Sequence, residues 1–273
     1  MSERDEYPAG VPCWVETLQR DPRAAVSFYA SLFGWETEGP GPMPGDPPGE
    51  YFVARVRGRD VAGIGSRPGP SDESPAAWMT YVRVESADDA VTRATQAGAS
   101  VIVGPTDAPP AGRLAVFADP TGAVVGVWEG ASREGAQVLN EPSAWSMSML
   151  HTGDPALATE FYAAVFGWQA ESFGPPEAGL ALFRLPGYTG GEPQQPVPRD
   201  VVAVMAADGN GSGGPPPHWS VDFWVKDTDA VAEHALALGG AVIVPPHDQP
   251  GFRSAVLADL EGASLSINAL VAR

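Results

Sequence analysis

The chain has a single cysteine, Cys13, in 273 residues, so no intrachain disulfide can staple it. A lone thiol with no base supplied nearby reads as a buried apolar side chain in a reducing compartment, and a cytoplasmic location is expected. No apolar run is long enough to cross a bilayer, so no membrane partner is expected. The opening MSERDEYPAG lacks a basic region followed by an apolar one and does not read as a signal peptide. Basic residues are scarce: 16 Lys and Arg against 34 Asp and Glu leave a formal charge of −18. Such a chain repels phosphate backbones, so no nucleic-acid partner is expected. The charge is spread rather than blocked, which favours plain solubility over an interaction tail. With 44% apolar and 18% charged residues the composition is globular.

What is present is a repeat. DPRAAVSFYASLFGW (21–35) and DPALATEFYAAVFGW (154–168) agree at 9 of 15 positions. AWMTYVRV (77–84) then matches HWSVDFWV (218–225), GASVIVGP (98–105) matches GAVIVPP (240–246), and LAVFADPTGA (114–123) matches SAVLADLEGA (254–263), all in the same order. The chain is therefore one unit written twice. A first domain is expected over 1–130, a polar linker over 131–142 and a second domain over 143–273.

Each copy has the same plan. Asp21 is a helix N-cap, Pro22 suits the first helical position, and Ala25, Phe28, Tyr29, Leu32 and Phe33 form a buried stripe closed by Gly34. Asp154 to Gly167 repeat these signals, and the aromatics read as core. A strand precedes each helix (12–18, 144–150), and two more follow around a turn: EYFVARV with DVAGIG, and LALFRL with DVVAVM. A further strand–helix pair and two closing strands complete each half. The order is βαβββ four times, an α+β fold. GPGPMPGDPPGE (39–50), PGYTGGEPQQPVPRD (186–200) and DGNGSGGPPP (208–217) read as loops.

Tandem βαβββ modules carrying FYxxxFGW and DPxGA resemble the vicinal oxygen chelate superfamily, which includes glyoxalase I, bleomycin-resistance proteins and extradiol dioxygenases. The resemblance spans about residues 11 to 270 and looks closest to two-domain, actinobacterial-type glyoxalase-related proteins. It implies curved mixed sheets with helices on the outer face and a concave cavity on the other. It specifies function poorly, because one scaffold hosts lyases, oxygenases, transferases and binders.

The resemblance also implies where a metal would sit. The matching positions hold Trp14, Gly63, Met79 and Gly126 in the first copy, and Met147, Ala203, Ser220 and Ser266 in the second. None is a usual ligand for a divalent cation, so no metal and no other cofactor is expected. Strand alternation then lines the first cavity with Trp14, Glu16, Met79, Tyr81 and Trp128, and the second with Met147, Met149, His151, Ser220, Asp222, Trp224 and Asn268. Aromatics and methionines with a few polar groups suit a flat organic ligand.

Three residues are candidates for catalysis. His151 held by Asp222 would serve as a general base, unless it merely helps cap the helix at Asp154. Glu16 would be either a lone acid in an apolar pocket or a partner of Arg113. His234, in a helix, and His247, in a loop, read as structural or surface residues. The leading expectation is a metal-free binder of a hydrophobic or aromatic small molecule, as in natural-product or drug sequestration. The strong negative charge would favour a cationic ligand, with cation–π contact from Trp14, Trp128 or Trp224. The alternatives are a lyase-, isomerase- or hydroxylase-type enzyme and a protein–protein adaptor with vestigial cavities. A monomer or a homodimer is compatible with the duplication.

Overall fold

A computed structural model describes residues 3–43, 48–67, 74–190, 199–207 and 215–271. The first half runs β1 (Pro12–Gln19), α1 (Pro22–Phe33), β2 (Glu36–Met43), β3 (Gly49–Val56), β4 (Arg59–Ser66), β5 (Trp78–Arg83), α2 (Ala87–Gln96), β6 (Ser100–Ala108), β7 (Gly112–Ala118) and β8 (Val124–Gly130). The second half repeats it: β9 (Trp145–Thr152), α3 (Pro155–Phe166), β10 (Gln169–Phe173), β11 (Leu180–Arg184), β12 (Val201–Ala207), β13 (His218–Trp224), α4 (Thr228–Ala237), β14 (Ala241–Gln249), β15 (Phe252–Ala258) and β16 (Ser264–Leu270).

Each half folds its own two βαβββ modules into one eight-stranded mixed sheet. The orders are β2-β3-β4-β1-β5-β8-β7-β6 and β10-β11-β12-β9-β13-β16-β15-β14. Modules one and two pair within the first half and three and four within the second, and among the described residues no strand is exchanged. The antiparallel junctions β1–β5 and β9–β13 sit at the sheet centres.

The helices form for the reasons their sequences give. The Asp21 side chain accepts from the Ala24 N–H at 2.9 Å, and that of Asp154 from the Leu157 N–H at 3.0 Å. Gly34 and Gly167 close the helices at φ 71° and 75°, a left-handed conformation that a Cβ would disfavour.

Two expectations need correction. Part of GPGPMPGDPPGE is strand, not loop: Gly39 to Met43 complete β2, and Gly49 and Glu50 open β3. β2 is an edge strand with one ladder partner, so Pro40 and Pro42 leave no unmet bond on the free side. His247 lies in edge strand β14, not in a loop. The other two predicted loops carry no regular element where described (186–190, 199–200, 215–217), except that Asp200 adjoins β12; positions 44–47, 191–198 and 208–214 lie outside the described residues.

The halves meet through the repeated helix motif. The Tyr29 hydroxyl donates to Asp259 Oδ2 and the Tyr162 hydroxyl to Asp119 Oδ2, each at 2.8 Å. The other carboxylate oxygen of each Asp organises its own turn: Asp119 Oδ1 accepts from the backbone N–H groups of Thr121, Gly122 and Ala123, and Asp259 Oδ1 from those of Glu261 and Ala263. Trp35 Nε1 donates to the Ser143 carbonyl at 2.7 Å, and Trp168 Nε1 to the Gly10 carbonyl at 2.6 Å. Phe33 and Trp78 pack on Phe223, each with centroids 5.2 Å apart. The tyrosine and tryptophan of FYxxxFGW thus reach into the opposite half, beyond the packing role expected of the stripe.

Candidate ligand-binding site

Alternation in the central strands separates two faces. Cys13, Val15 and Thr17 of β1 are fully buried under the helices, as are Ser148 and Leu150 of β9. Burial pushes the Cys13 thiol pKa up, so it is held as an apolar thiol. The opposite faces carry the candidate residues.

In the first half that face is filled by its own side chains. Trp14 is 6%, Glu16 7% and Tyr81 3% exposed. The Glu16 carboxylate accepts from the Tyr51 hydroxyl at 2.7 Å and the Tyr81 hydroxyl at 2.6 Å, and Trp14 Nε1 donates to Tyr51 Oη at 3.0 Å. Burial raises the pKa of Glu16 against these stabilising phenol bonds. Burial, then the Glu16 charge, pushes both phenols well above the usual tyrosine range.

Glycines make the room. A Cβ at Gly63 would lie 2.0 Å from the Tyr51 hydroxyl, and one at Gly126 2.3 Å from the Tyr81 ring. Tyr51 also lies across Gly65, its ladder partner. Met79, opposite Glu16, is partly buried, and Trp128 donates its Nε1–H to the Arg133 carbonyl at 2.8 Å. Trp14, Glu16 and Tyr81 are therefore the filling of this face, not the lining of an open cavity. The Glu16–Arg113 alternative also fails: Arg113 binds Asp88 at 3.0 Å and Asp107 at 2.6 Å.

The second half is built differently at matched positions. Met147 stands where Trp14 stood, Met149 for Glu16, Asp222 for Tyr81, Ser266 for Gly126, Asn268 for Trp128 and Leu180 for Tyr51. Met147, Met149, His151, Ser220, Asp222 and Ser266 are all only partly buried. Met147, Met149 and Leu180 pack with Leu182 and Val204 into a small apolar cluster separate from the main core. Trp224 is 8% exposed and packs edge-on against Phe252 at 6.3 Å.

Asp222 has the Ser266 hydroxyl as its partner, and desolvation pushes its carboxyl up to about 6 in spite of that bond. Asn268 is 6% exposed, and among the described residues its Oδ1 has no hydrogen-bond partner.

The predicted His151–Asp222 pair is not brought together. The β9–β13 ladder sets His151 opposite His218 and Asp222 opposite Met147, four residues apart along β9, about 13 Å. His151 Nε2 instead lies 3.1 Å from Ser220 Oγ, and its ring stacks on that of His218 at 4.6 Å and 6°.

The superfamily's metal does not fit either face. Trp14, Gly63, Met79 and Gly126 offer no carboxylate, imidazole or thiolate, nor do Met147, Ser220 and Ser266. The remaining position needs a one-residue shift: Val204, not the fully buried Ala203, pairs with Met149 and shares its face. Among the described residues no three His, Cys, Asp or Glu side chains gather as a metal-holding group. Two surface hollows of about 440 and 530 Å³ lie beside Tyr188 and beside Phe173; neither is lined by a residue expected from the sequence, although Leu180 of the apolar cluster borders the second.

Tyr51, Leu180, Leu182 and Val204 were not singled out from the sequence. A signal for Tyr51 existed: EYFVARV puts it in alternation with Val53, facing the two glycines of DVAGIG.

Comparison with known proteins agrees with this architecture. The family model described as Glyoxalase/Bleomycin resistance protein/Dioxygenase superfamily matches residues 14–127, and a glyoxalase-like domain model matches 147–268. CFP32 of Mycobacterium tuberculosis (strain CDC 1551 / Oshkosh), named as a candidate glyoxylase, is 37% identical over 98% of this chain and 97% of its own. The anthracycline biosynthesis protein DnrV of Streptomyces peucetius is 33% identical over 96% of this chain and 94% of its own. Among solved structures, the Mn(II)-bound glyoxalase from Novosphingobium aromaticivorans superposes with a TM-score of 0.62 at 15% identity, over 96% of this chain and 82% of that one. The 2,3-dioxygenase LapB from Pseudomonas sp. KL28 also gives 0.62, at 11% identity over 96% and 93%. These structural likenesses carry the fold alone. The chain belongs to the glyoxalase/bleomycin resistance protein/dioxygenase superfamily, with one glyoxalase-like unit in each half.

Proposed function

We propose that this protein binds one hydrophobic or aromatic small molecule per chain, on the inward face of its second half, and does so without the superfamily's metal. The observation that carries this reading is the contrast at matched ladder positions. Trp14, Glu16, Tyr51 and Tyr81 close the first face upon themselves, whereas Met147, Met149, Asp222 and Ser266 stay partly accessible beside an apolar cluster. Thioethers adapt to flat guests, and the flanking Ser220, Asp222 and Asn268 supply orienting polar groups. The name of the Streptomyces peucetius relative supports the ligand class, since anthracyclines are polycyclic aromatics. Sequestration of such a molecule is the role that fits.

The test is a titration of the purified protein with a fused-ring aromatic, followed by tryptophan quenching, beside elemental analysis. Saturable binding at one site per chain without stoichiometric metal is expected. Stoichiometric metal, or no saturable site, overturns the reading.

A second reading rests on Asp222. A carboxyl with its pKa at about 6 on an accessible face can exchange a proton near neutral pH, the property needed of an acid–base group in a lyase or isomerase. In that reading His151 acts at the far end of the ligand, not as the partner of Asp222, and Glu16 is sealed from substrate. Turnover of a bound ligand that is lost in Asp222→Asn separates this from simple binding.

A further inference from the structure

On the inward face of the second half, β13 and β16 run parallel with Asp222 beside Ser266 and Trp224 beside Asn268. Asp222 and Asn268 are thus diagonal neighbours on one surface, with Cα atoms about 8 Å apart. Asn268 is 6% exposed, yet its Oδ1 has no donor among the described residues. An unmet acceptor at that depth costs free energy unless something from outside supplies a proton. Among the described residues its sheet neighbour Asp222 has the Ser266 hydroxyl as a partner, and one hydroxyl cannot fill the acceptor positions of a carboxylate. Ser254, across the ladder from Asn268, adds a third oxygen, and the Trp224 indole stands alongside. No Lys or Arg occupies the inward-facing positions of β13 or β16 to meet these acceptors.

We propose that this corner is a subsite for an N–H-bearing ammonium group of the ligand, donating to Asn268 Oδ1 and the Asp222 carboxylate beside the Trp224 ring. The inference rests on the binding reading above and narrows its ligand to an aromatic body carrying a primary or secondary amine. A quaternary ammonium carries the same charge and would satisfy a cation–π contact with Trp224, but it has no proton to give Asn268. The geometry therefore separates donor recognition from mere attraction to a chain of charge −18.

The test uses four probes with one ring system: 9-(aminomethyl)anthracene, its N,N,N-trimethylammonium analogue, 9-anthracenemethanol and 9-anthracenecarboxylate. Affinities are read from anthracene and tryptophan fluorescence at pH 7.5. The primary ammonium is expected to bind about tenfold or more tighter than each of the others, the scale of a charge-assisted hydrogen bond. Asn268→Leu and Asp222→Asn should each erase most of that advantage, read as the ratio of ammonium to alcohol affinity within the same variant; near-ultraviolet circular dichroism verifies their folds. Equal binding of the primary and quaternary cations overturns the subsite and leaves the binding reading standing. Tightest binding by the carboxylate, or a full ammonium preference in both variants, overturns it as well. Saturable binding by none of the four overturns this inference together with the reading beneath it.

Discussion

Tyr29 in the first half donates its hydroxyl proton to Asp259 in the second at 2.8 Å, and Trp78 Nε1 donates to that same tyrosine oxygen at 3.0 Å. The mirror contact runs Trp219 to Tyr162 to Asp119. Each chain of bonds ties a helix of one half to the closing turn of the other inside a fully buried interface. Tyr29→Phe and Tyr162→Phe should each cost about 1–3 kcal/mol, because each orphans an indole N–H and takes one donor from a buried carboxylate. Calorimetry should show one cooperative transition shifted down in both variants. Two separated transitions in the unaltered protein would contradict this coupling.

The filled face of the first half makes its glycines sensitive to a single methyl group. Gly63→Ala should destabilise by about 1–3 kcal/mol, since the new Cβ collides with the Tyr51 hydroxyl. Tyr51→Leu in the same chain should recover part of that loss, because it removes the colliding atoms. Denaturant titration of the two single variants and the double gives the coupling directly, and strict additivity would argue against the stacked geometry.

Asp222 gives a pH signature. Its folded-state pKa of about 6 lies above the ordinary aspartate value of 3.8, so the folded state holds the proton more tightly than the unfolded one. The associated stability is fully present below pH 4 and is lost as pH rises through 6. Asp222→Asn should therefore stabilise the unliganded protein by about 1–3 kcal/mol at pH 7.5 and by little at pH 4. Unfolding free energies measured at both pH values test the sign.

Ligand affinity should respond to one half only. Met147→Ala and Met149→Ala are expected to weaken binding of a fused-ring probe by about five- to thirtyfold each, from lost apolar contact. Met79→Ala, on the occupied face, should leave affinity unchanged. A larger effect from Met79 than from Met149 would move the site to the other half.

The duplication, the helices with their caps and the central strands were readable because each rests on local spacing. What the sequence hid depended on distance or on register. Gly39 to Met43 look like a loop until β3 pairs with them. His151 and Asp222 look like partners because alternation puts them on one face, but the ladder, not alternation, sets how far apart they stand. Tyr29 and Asp119 were legible as core and turn; that each serves the opposite half follows from packing between the halves, which local spacing does not encode. Tyr51 escaped notice because its role depends on glycines on a neighbouring strand.

The crossed tyrosine and aspartate contacts carry an evolutionary consequence. A fused duplicate normally lets its two copies drift apart, and the inward faces here have done so. The seam is tied more tightly, because a change in either closing turn is felt by a helix of the other half. A transplanted half would therefore have to bring its own tyrosine and aspartate to these positions, since one lacking either would leave a buried hydroxyl or carboxylate of the resident half without its counterpart.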